Sequence, residues 1–345
     1  MSLRIGFTGD VMLGRLVDDR QRGRAVDAVW GDTLERLRGL DGLVLNLECA
    51  LSTRGRKWTR TRRPFHFRAD PDWAVPALER AGVDACALAN NHVLDYEEAA
   101  LRDTLAALDE AGIARAGAGE TIDEALEPAT FAADGDGANE GIDVAMVSLT
   151  DNTPEYAADE ESPGTARVEF AVDDAETRRR VGVALERARE TDPDLLIASL
   201  HWGPNMVTEP PESFREFGRW LVENGVDIVH GHSAHVFQGI EIHDGSPILY
   251  DAGDFVDDYA VDDDLRNDRS FLFVLAVAPD GRPTELRLYP TEIDGCAVHE
   301  AGPDAAGWSR DRMRELSAPL GTAFKRDGEA LVLSLDGSES DDEDE

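Results

Sequence analysis

Asp10, Asn46 with Glu48, Asn91 with His92, His201, and His232 with His235 are the side chains of this sequence best suited to hold a cation or move a proton. They stand where short apolar runs end. Residues 3–7 lead to Asp10, 43–47 carry Asn46 and reach Glu48, and 85–89 run into Asn90-Asn91-His92. Residues 195–200 run into His201, and 226–229 into His230-Gly231-His232. Such runs read as buried strands, and in open α/β sheets sites form beyond the carboxyl ends of strands. A lone aspartate there is ordinarily a cap or a turn residue. Five chain-distant segments that end alike point to a shared purpose. Asp, Glu and Asn supply oxygen and His supplies nitrogen, a mixture that suits Mn, Fe, Zn or Co rather than soft-metal chemistry. A bridging carboxylate flanked by His and Asn is what a two-metal hydrolytic centre requires. Cations about 3.5–4 Å apart clamp the attacking and leaving oxygens and make hydroxide available near neutral pH.

The elements that must position these groups follow from hydrophobic period. Residues 97–111 read as a helix with Leu101, Leu105 and Leu108 on one face, and 173–189 as another with Val181, Leu185 and Ala188 in register. Residues 142–149 form a further buried strand and 214–222 a helix. After residue 238 the pattern becomes strands joined by turns (239–242, 247–250, 271–278, 284–289) with little helix. Alternating β and α followed by a run of strands predicts an α/β fold with mixed sheets. No repeat or linker divides the chain, which predicts one domain over 1–335. Residues 132–141 read as a hairpin or surface loop, and the acidic segment 336–345 as a disordered tail.

Composition excludes several functions. Lys plus Arg is 34 against 71 for Asp plus Glu, a net charge of −37. That opposes nucleic-acid binding, which needs clustered cations, and binding to anionic membrane surfaces. No apolar run approaches the roughly 18 residues of a membrane span, and the N-terminal segment does not read as a signal peptide. Cys49, Cys86 and Cys296 are far apart and suggest a reducing, cytoplasmic setting. Lys57 and Lys325 are the only lysines. So many carboxylates with so little lysine read as adaptation to high salt, where at about 1 M the Debye length shrinks to about 3 Å.

The motifs resemble one family. Gly9-Asp10-Val11-Met12-Leu13-Gly14-Arg15, Asn46-Leu47-Glu48, Ala89-Asn90-Asn91-His92 with Asp95, His201-Trp202-Gly203, Gly231-His232-Ser233-Ala234-His235 with Gln238-Gly239-Ile240-Glu241, and Tyr250-Asp251-Ala252-Gly253-Asp254-Phe255 look like the CapA family of poly-γ-glutamate capsule-biosynthesis proteins. The resemblance implies a calcineurin-like metallophosphoesterase fold: a four-layer αββα sandwich with two divalent cations between its sheets. It implies that Asp10 is the first-site aspartate, Glu48 the bridging carboxylate, and Asn91, His201, His232 and His235 further ligands. His92 would protonate the leaving group, with Asp95 as its orienter. Asn46, Arg15, Trp202 and Asp254 would line the substrate. The sequence departs from ordinary phosphoesterases in carrying Met12 where a ligand histidine stands, Glu48 in place of Asp, and two residues between its closing histidines.

Other features have plainer readings. Met12 and Cys49 read as core, His230 as a hydrogen-bonded core histidine, His243 and His299 as surface residues, and Asp257, Asp258 and Asp262 to Asp264 as a solvated loop. Arg54, Arg56, Lys57, Arg60, Arg62 and Arg63 concentrate cations in an acidic chain, which suggests a site for an anionic polymer or phosphoester, with Arg60, Arg62 and Arg63 as contacts. The expected function is a metal-dependent hydrolase that acts on such a polymer alongside capsule-synthesis partners. The alternative is a non-catalytic component with a degenerate metal site that binds polymer or partner.

Overall fold

The structure is a computed structural model that describes residues 2–135 and 141–335. The expected tail at 336–345 and the centre of the 132–141 loop lie outside the described residues. In chain order the principal elements begin with β1 (Leu3–Val11), β2 (Gly42–Leu47), α1 (Pro71–Ala81), β3 (Ala85–Ala87), α2 (Glu97–Ala111) and β4 (Ala114–Ala116). There follow β5 (Ala129–Ala133), β6 (Ile142–Thr150), α3 (Ala175–Glu190), β7 (Leu195–His201), α4 (Glu212–Glu223) and β8 (Ile228–His232). The chain continues with β9 (Ile240–His243), β10 (Ser246–Leu249), β11 (Asp254–Val256), β12 (Arg269–Val277), β13 (Pro283–Asp294) and β14 (Ala297–Glu300). It ends with α5 (Pro303–Ser317), β15 (Lys325–Asp327) and β16 (Ala330–Ser334).

The strands form two large mixed sheets. One has the order β15-β16-β13-β12-β1-β2-β3-β4, with β11 beside β1 and β14 beside β13; the other runs β9-β10-β8-β7-β6-β5. β1, β2, β3 and β4 pair in parallel, as do β6, β7, β8 and β10, so the carboxyl ends within each parallel set lie along one edge.

Alternation along the strands explains why the sheets stack. Ile142, Val144 and Met146 of β6 enter a middle core with Ile5 and Phe7 of β1, while Ala145, Val147 and Leu149 enter an outer core with Val181 and Leu185 of α3 and Phe217 of α4. On the other flank Leu43, Leu45 and Leu47 of β2 pack under Trp73 and Leu78 of α1 and Leu101 and Leu105 of α2. Strands buried on both faces must be apolar without a break, which is why they read as continuous runs. The layers are helix, sheet, sheet, helix: the expected four-layer αββα sandwich.

Strand boundaries differ from expectation at β1 and β8. β1 extends to Val11 and β8 covers Ile228–His232, so Asp10, His230 and His232 lie within strands rather than after them. Pairing with β11 and β7 carries the ladders through these polar residues. The strand-rich second half also contains α5, which was not expected. No helix among the described residues is long and apolar enough to cross a membrane.

Candidate functional site

Two devices bring the strand-end residues together. The first is parity. Val44 faces the middle core, so Asn46 and Glu48 follow it on that side; Ile197 carries Ser199 and His201, and Ile228 carries His230 and His232. The second is a slip in register. Leu3, Ile5 and Phe7 face the middle core, and strict alternation would put Val11 there and Asp10 outside. Instead β1 slips against β2 between Phe7 and Asp10, and Val11 joins the core under α1 and α2 on the other flank. One residue of slip exchanges the faces, which turns Asp10 inward. Gly9 permits the close approach this needs, because a Cβ there would lie 1.8 Å from the Gly253 carbonyl oxygen. The backbone N–H of Asp10 then donates to that same carbonyl at 2.8 Å.

Two groups of buried side chains could each hold a cation. Asp10, His201 and His232 form one; Asp10, Glu48 and His235 form the other. Asp10 is common to both, with Oδ1 3.5 Å from His232 Nδ1 and Oδ2 3.4 Å from His235 Nδ1. Glu48 Oε1, for which the resemblance implies the bridging position, also lies 3.9 Å from His201 Nε2 of the first group. His201 Nδ1 and His232 Nδ1 are 3.0 Å apart. Metal–nitrogen bonds of about 2.0–2.1 Å put neighbouring ligand atoms about 2.9–3.4 Å apart, so this spacing fits a shared coordination shell.

Unpaired atoms make the stronger test. Asp10 Oδ2, Glu48 Oε1, Asn91 Oδ1, His201 Nε2 and Asp254 Oδ2 are buried without a hydrogen-bond partner. Each such atom costs about 1–3 kcal/mol, and whole domains are stable by only about 5–15 kcal/mol. Asp10, Glu48 and Asp254 stand at the two groups, and cations there would complete their unpaired oxygens. The donor set, oxygen with imidazole, fits hard and borderline divalent ions.

Charge reinforces the fit. Burial alone would raise the Asp10 pKa, but His235, His201 and His232 hold it well below the usual carboxylate range. Burial and the Asp10 charge push Glu48 well above its ordinary value. Burial drives His201 down to about 3 and His232 well below 6.5, so both are neutral at pH 7. His235 goes the other way: burial disfavours its charge, but Asp254, Glu48 and Asp10 raise it well above 6.5. A cation at the Glu48/His235 group must therefore displace at least one proton, whereas the His201/His232 group need release none. Affinity at the first group should rise with pH until His235 loses its proton, and affinity at the second should stay nearly flat above pH 7. Calorimetric titration in buffers of different ionisation enthalpy counts these protons directly.

Beside the two groups lies a histidine dyad. His92 Nδ1 is 2.5 Å from Asp95 Oδ2, and His92 Nε2 is 3.9 Å from Glu48 Oε1. Asp95 also accepts from the Phe67 amide at 2.7 Å and the Tyr156 hydroxyl at 2.9 Å. Phe67 stacks on the His92 ring at 3.8 Å. The imidazole is thus clamped on one edge and one face, and its Nε2 is turned to the cation groups.

The other expected residues occupy varied positions. Asn46 donates to Asp10 Oδ1 at 2.6 Å, which orients a ligand. Asp254 accepts or shares a proton with His235 Nδ1 at 2.8 Å, so it supports that ring and offers Oδ2 to the site. Arg15 is held on Asp258 at 2.6 Å over the rings of Phe65, Phe67 and Tyr259, at the rim. Arg63 turns inward to Asn91 O and Thr153 Oγ1 and lies over Tyr156. Arg60 is exposed over Trp58, and Arg62 is exposed. Trp202 does not line a substrate surface. It is 3% exposed, stacks on Phe214, and spends its indole N–H on the Tyr250 carbonyl in the outer core. Asp257 and Asp258 also depart from the solvated-loop reading: Asp257 is 4% exposed, and the Asp258 side chain is buried against Arg15 and the Leu16 amide.

Sequence reasoning passed over four supporting residues. Asn90 donates to Asn46 Oδ1 and Leu47 O while its own Oδ1 accepts from the His92 and Val93 amides. Tyr259 donates to Glu48 Oε2 at 3.3 Å. Asp251 accepts from the amides of Ala234 and Gly253, which ties the His232–His235 turn to the 251–254 loop. That turn is strained, with φ of 117° at Ser233 and 59° at His235. Ser199 is the fourth. Adjacent Asn-Asn residues and the short Tyr250–Asp254 stretch were the available signals; nothing local marked Tyr259 or Ser199.

Comparison with known proteins adds the following. Residues 4–259 match the family model for bacterial capsule synthesis protein PGA_cap. A probable polyglutamine synthesis accessory protein of Mycobacterium tuberculosis is 31% identical, over 91% of this chain and 90% of the relative. The PGA biosynthesis protein CapA of Bacillus subtilis is 24% identical, over 98% of this chain and 83% of the relative. Among solved structures, a purple acid phosphatase from yellow lupin seeds aligns with a TM-score of 0.39 and 9% identity, over 87% of this chain and 53% of that one.

Proposed function

The chain belongs to the bacterial capsule synthesis protein family, and from that premise we propose that it is a metal-dependent hydrolase acting on a phosphoester or amide-like bond of an anionic polymer such as poly-γ-glutamate. The observation that carries this reading is the pair of buried ligand groups sharing Asp10, with His92 Nε2 directed at the same place. Two divalent cations held there would polarise the scissile group and make a water acidic enough to attack near neutral pH.

The chain's own residues supply the rest. Asp10, Glu48, Asn91, His201, His232 and His235 hold the cations. Asp95 fixes the His92 Nδ1 edge, which leaves Nε2 to exchange a proton with the leaving group. Asp10, Glu48 and Asp254 bring three carboxylates to the centre, so two divalent cations reverse its sign and make it attractive to an anion within a chain of net charge −37. Exposed Arg56, Lys57, Arg60 and Arg62 extend that attraction along the 54–63 loop.

The test is hydrolysis of phosphoesters and of γ-linked glutamate by protein loaded with manganese, iron, zinc or cobalt. Metal-dependent cleavage of either class supports the reading. Tight metal binding without cleavage of any substrate favours the polymer-binding alternative.

A further inference from the structure

His230 and Ser199 belong to neither cation group, yet they determine how one ligand presents itself. β7 and β8 run in parallel with Ser199 opposite His230 and His201 opposite His232. Parity turns these residues toward the middle core. His230 Nε2 lies 2.7 Å from the Thr8 carbonyl oxygen of the other sheet, in the stretch where β1 slips register. A carbonyl only accepts, so this nitrogen carries a hydrogen.

The remaining hydrogens can be assigned in turn. The His230 ring is wholly buried beside the rings of Phe7 and His232, and among the described residues no carboxylate comes within ion-pair distance of it. An imidazolium without a counter-charge is disfavoured there, so His230 Nδ1 is bare. That nitrogen lies 3.1 Å from Ser199 Oγ, which must donate to it. The hydroxyl has a single hydrogen. Toward His232 Nε2, at 3.0 Å, Ser199 can therefore only accept. His232 Nε2 carries its ring hydrogen, and Nδ1 is left with a free lone pair. Nδ1 is the atom that faces His201 Nδ1 at 3.0 Å and Asp10 Oδ1 at 3.5 Å.

We propose that Thr8, His230 and Ser199 form a proton-ordered relay between the two sheets that locks His232 in its Nε2–H tautomer and so presents Nδ1 to the cation. His230 and Ser199 are positioning residues: they act through His232. The relay rests on the metal-centre reading for its purpose, but its hydrogen positions can be read in metal-free protein.

The experiment uses full-length protein with ¹⁵N-labelled histidine. Long-range ¹H–¹⁵N NMR of the metal-free protein identifies which ring nitrogen of His230 and His232 is protonated. The expected result is Nε2–H on both. Ser199→Ala should leave His230 on Thr8, release His232 into a mixture of tautomers, and weaken zinc or manganese binding by about 10–100-fold in a chelator competition, with a thermal melt confirming that the variant is folded. An Nδ1–H tautomer at His232 in the parent protein overturns the relay, as does a folded Ser199→Ala protein with a single tautomer and parental affinity. Nε2–H on both histidines in a protein that binds no metal keeps the hydrogen ordering and removes the metal-centre reading instead.

Discussion

Asp10→Asn protein is expected to hold neither cation. Asp10 is the residue common to both ligand groups, with one oxygen toward each. Asparagine keeps its size and can still accept from Asn46 Nδ2, whose bond to Asp10 Oδ1 is 2.6 Å. The fold should therefore survive. What changes is the second oxygen, replaced by an NH₂ that cannot bind a cation, and the loss of a charge that neighbouring histidines keep ionised despite burial. Activity should fall by more than about 10³-fold, beyond the cost of removing one stabilising donor from a transition state. Glu48→Gln should behave differently. Glu48 belongs to one group only, so this variant should retain the His201/His232 cation and lose the other. Metal analysis of the three proteins side by side checks the pattern; two equivalents retained in Asp10→Asn would refute the shared-carboxylate assignment.

His92→Ala should keep both cations and lose turnover by about 10²–10⁴-fold, the usual share of a positioned acid or base. His92 Nε2 stands 3.9 Å from Glu48 Oε1, while Nδ1 is committed to Asp95 at 2.5 Å. Asp95→Asn should show a smaller loss of the same kind, because it removes the group that orients the ring. Burial holds the His92 pKa below 6.5, outweighing the charge of Asp95. At pH 7 the ring is then mostly neutral, and its capacity to donate a proton grows as pH falls. The loss in His92→Ala should accordingly be largest for substrates with basic leaving groups and at the acidic end of the active range. For a nitrophenolate leaving group, which needs no proton, it should nearly vanish. A uniform loss across leaving groups would mean that His92 acts through the cations instead.

Much of this candidate centre is legible in sequence because most of its residues stand at or just beyond the polar end of an apolar strand. Alternation and parallel pairing then do the assembly. The slip in β1 is not legible, since Gly9 and Thr8 look the same in a regular strand; only the approach of Gly253 shows why Asp10 turns inward. Trp202 follows His201 directly and so falls on the opposite face of the polypeptide, toward Phe214 and Tyr250. Asp257 and Asp258 look solvated in a run of acids, but the first sits beside Asp254 and the second is drawn in by Arg15. α5 is not legible in the sequence because Gly307 and several arginines and small residues blur its apolar face, which is completed by contacts such as Met313 with the middle core. In α1, Pro76 reads as a helix breaker, yet the Asp70 cap and Pro71 start the helix and the sheet beneath it holds it.

The central claim is that two cations flank Asp10. Crystals of protein prepared with manganese or zinc, measured at the absorption edge of the metal, test it most directly. The account predicts two anomalous peaks, one in contact with Asp10, His201 and His232 and one in contact with Asp10, Glu48 and His235. No peak at Asp10 in a fully loaded crystal, or peaks confined to surface carboxylates, would contradict it.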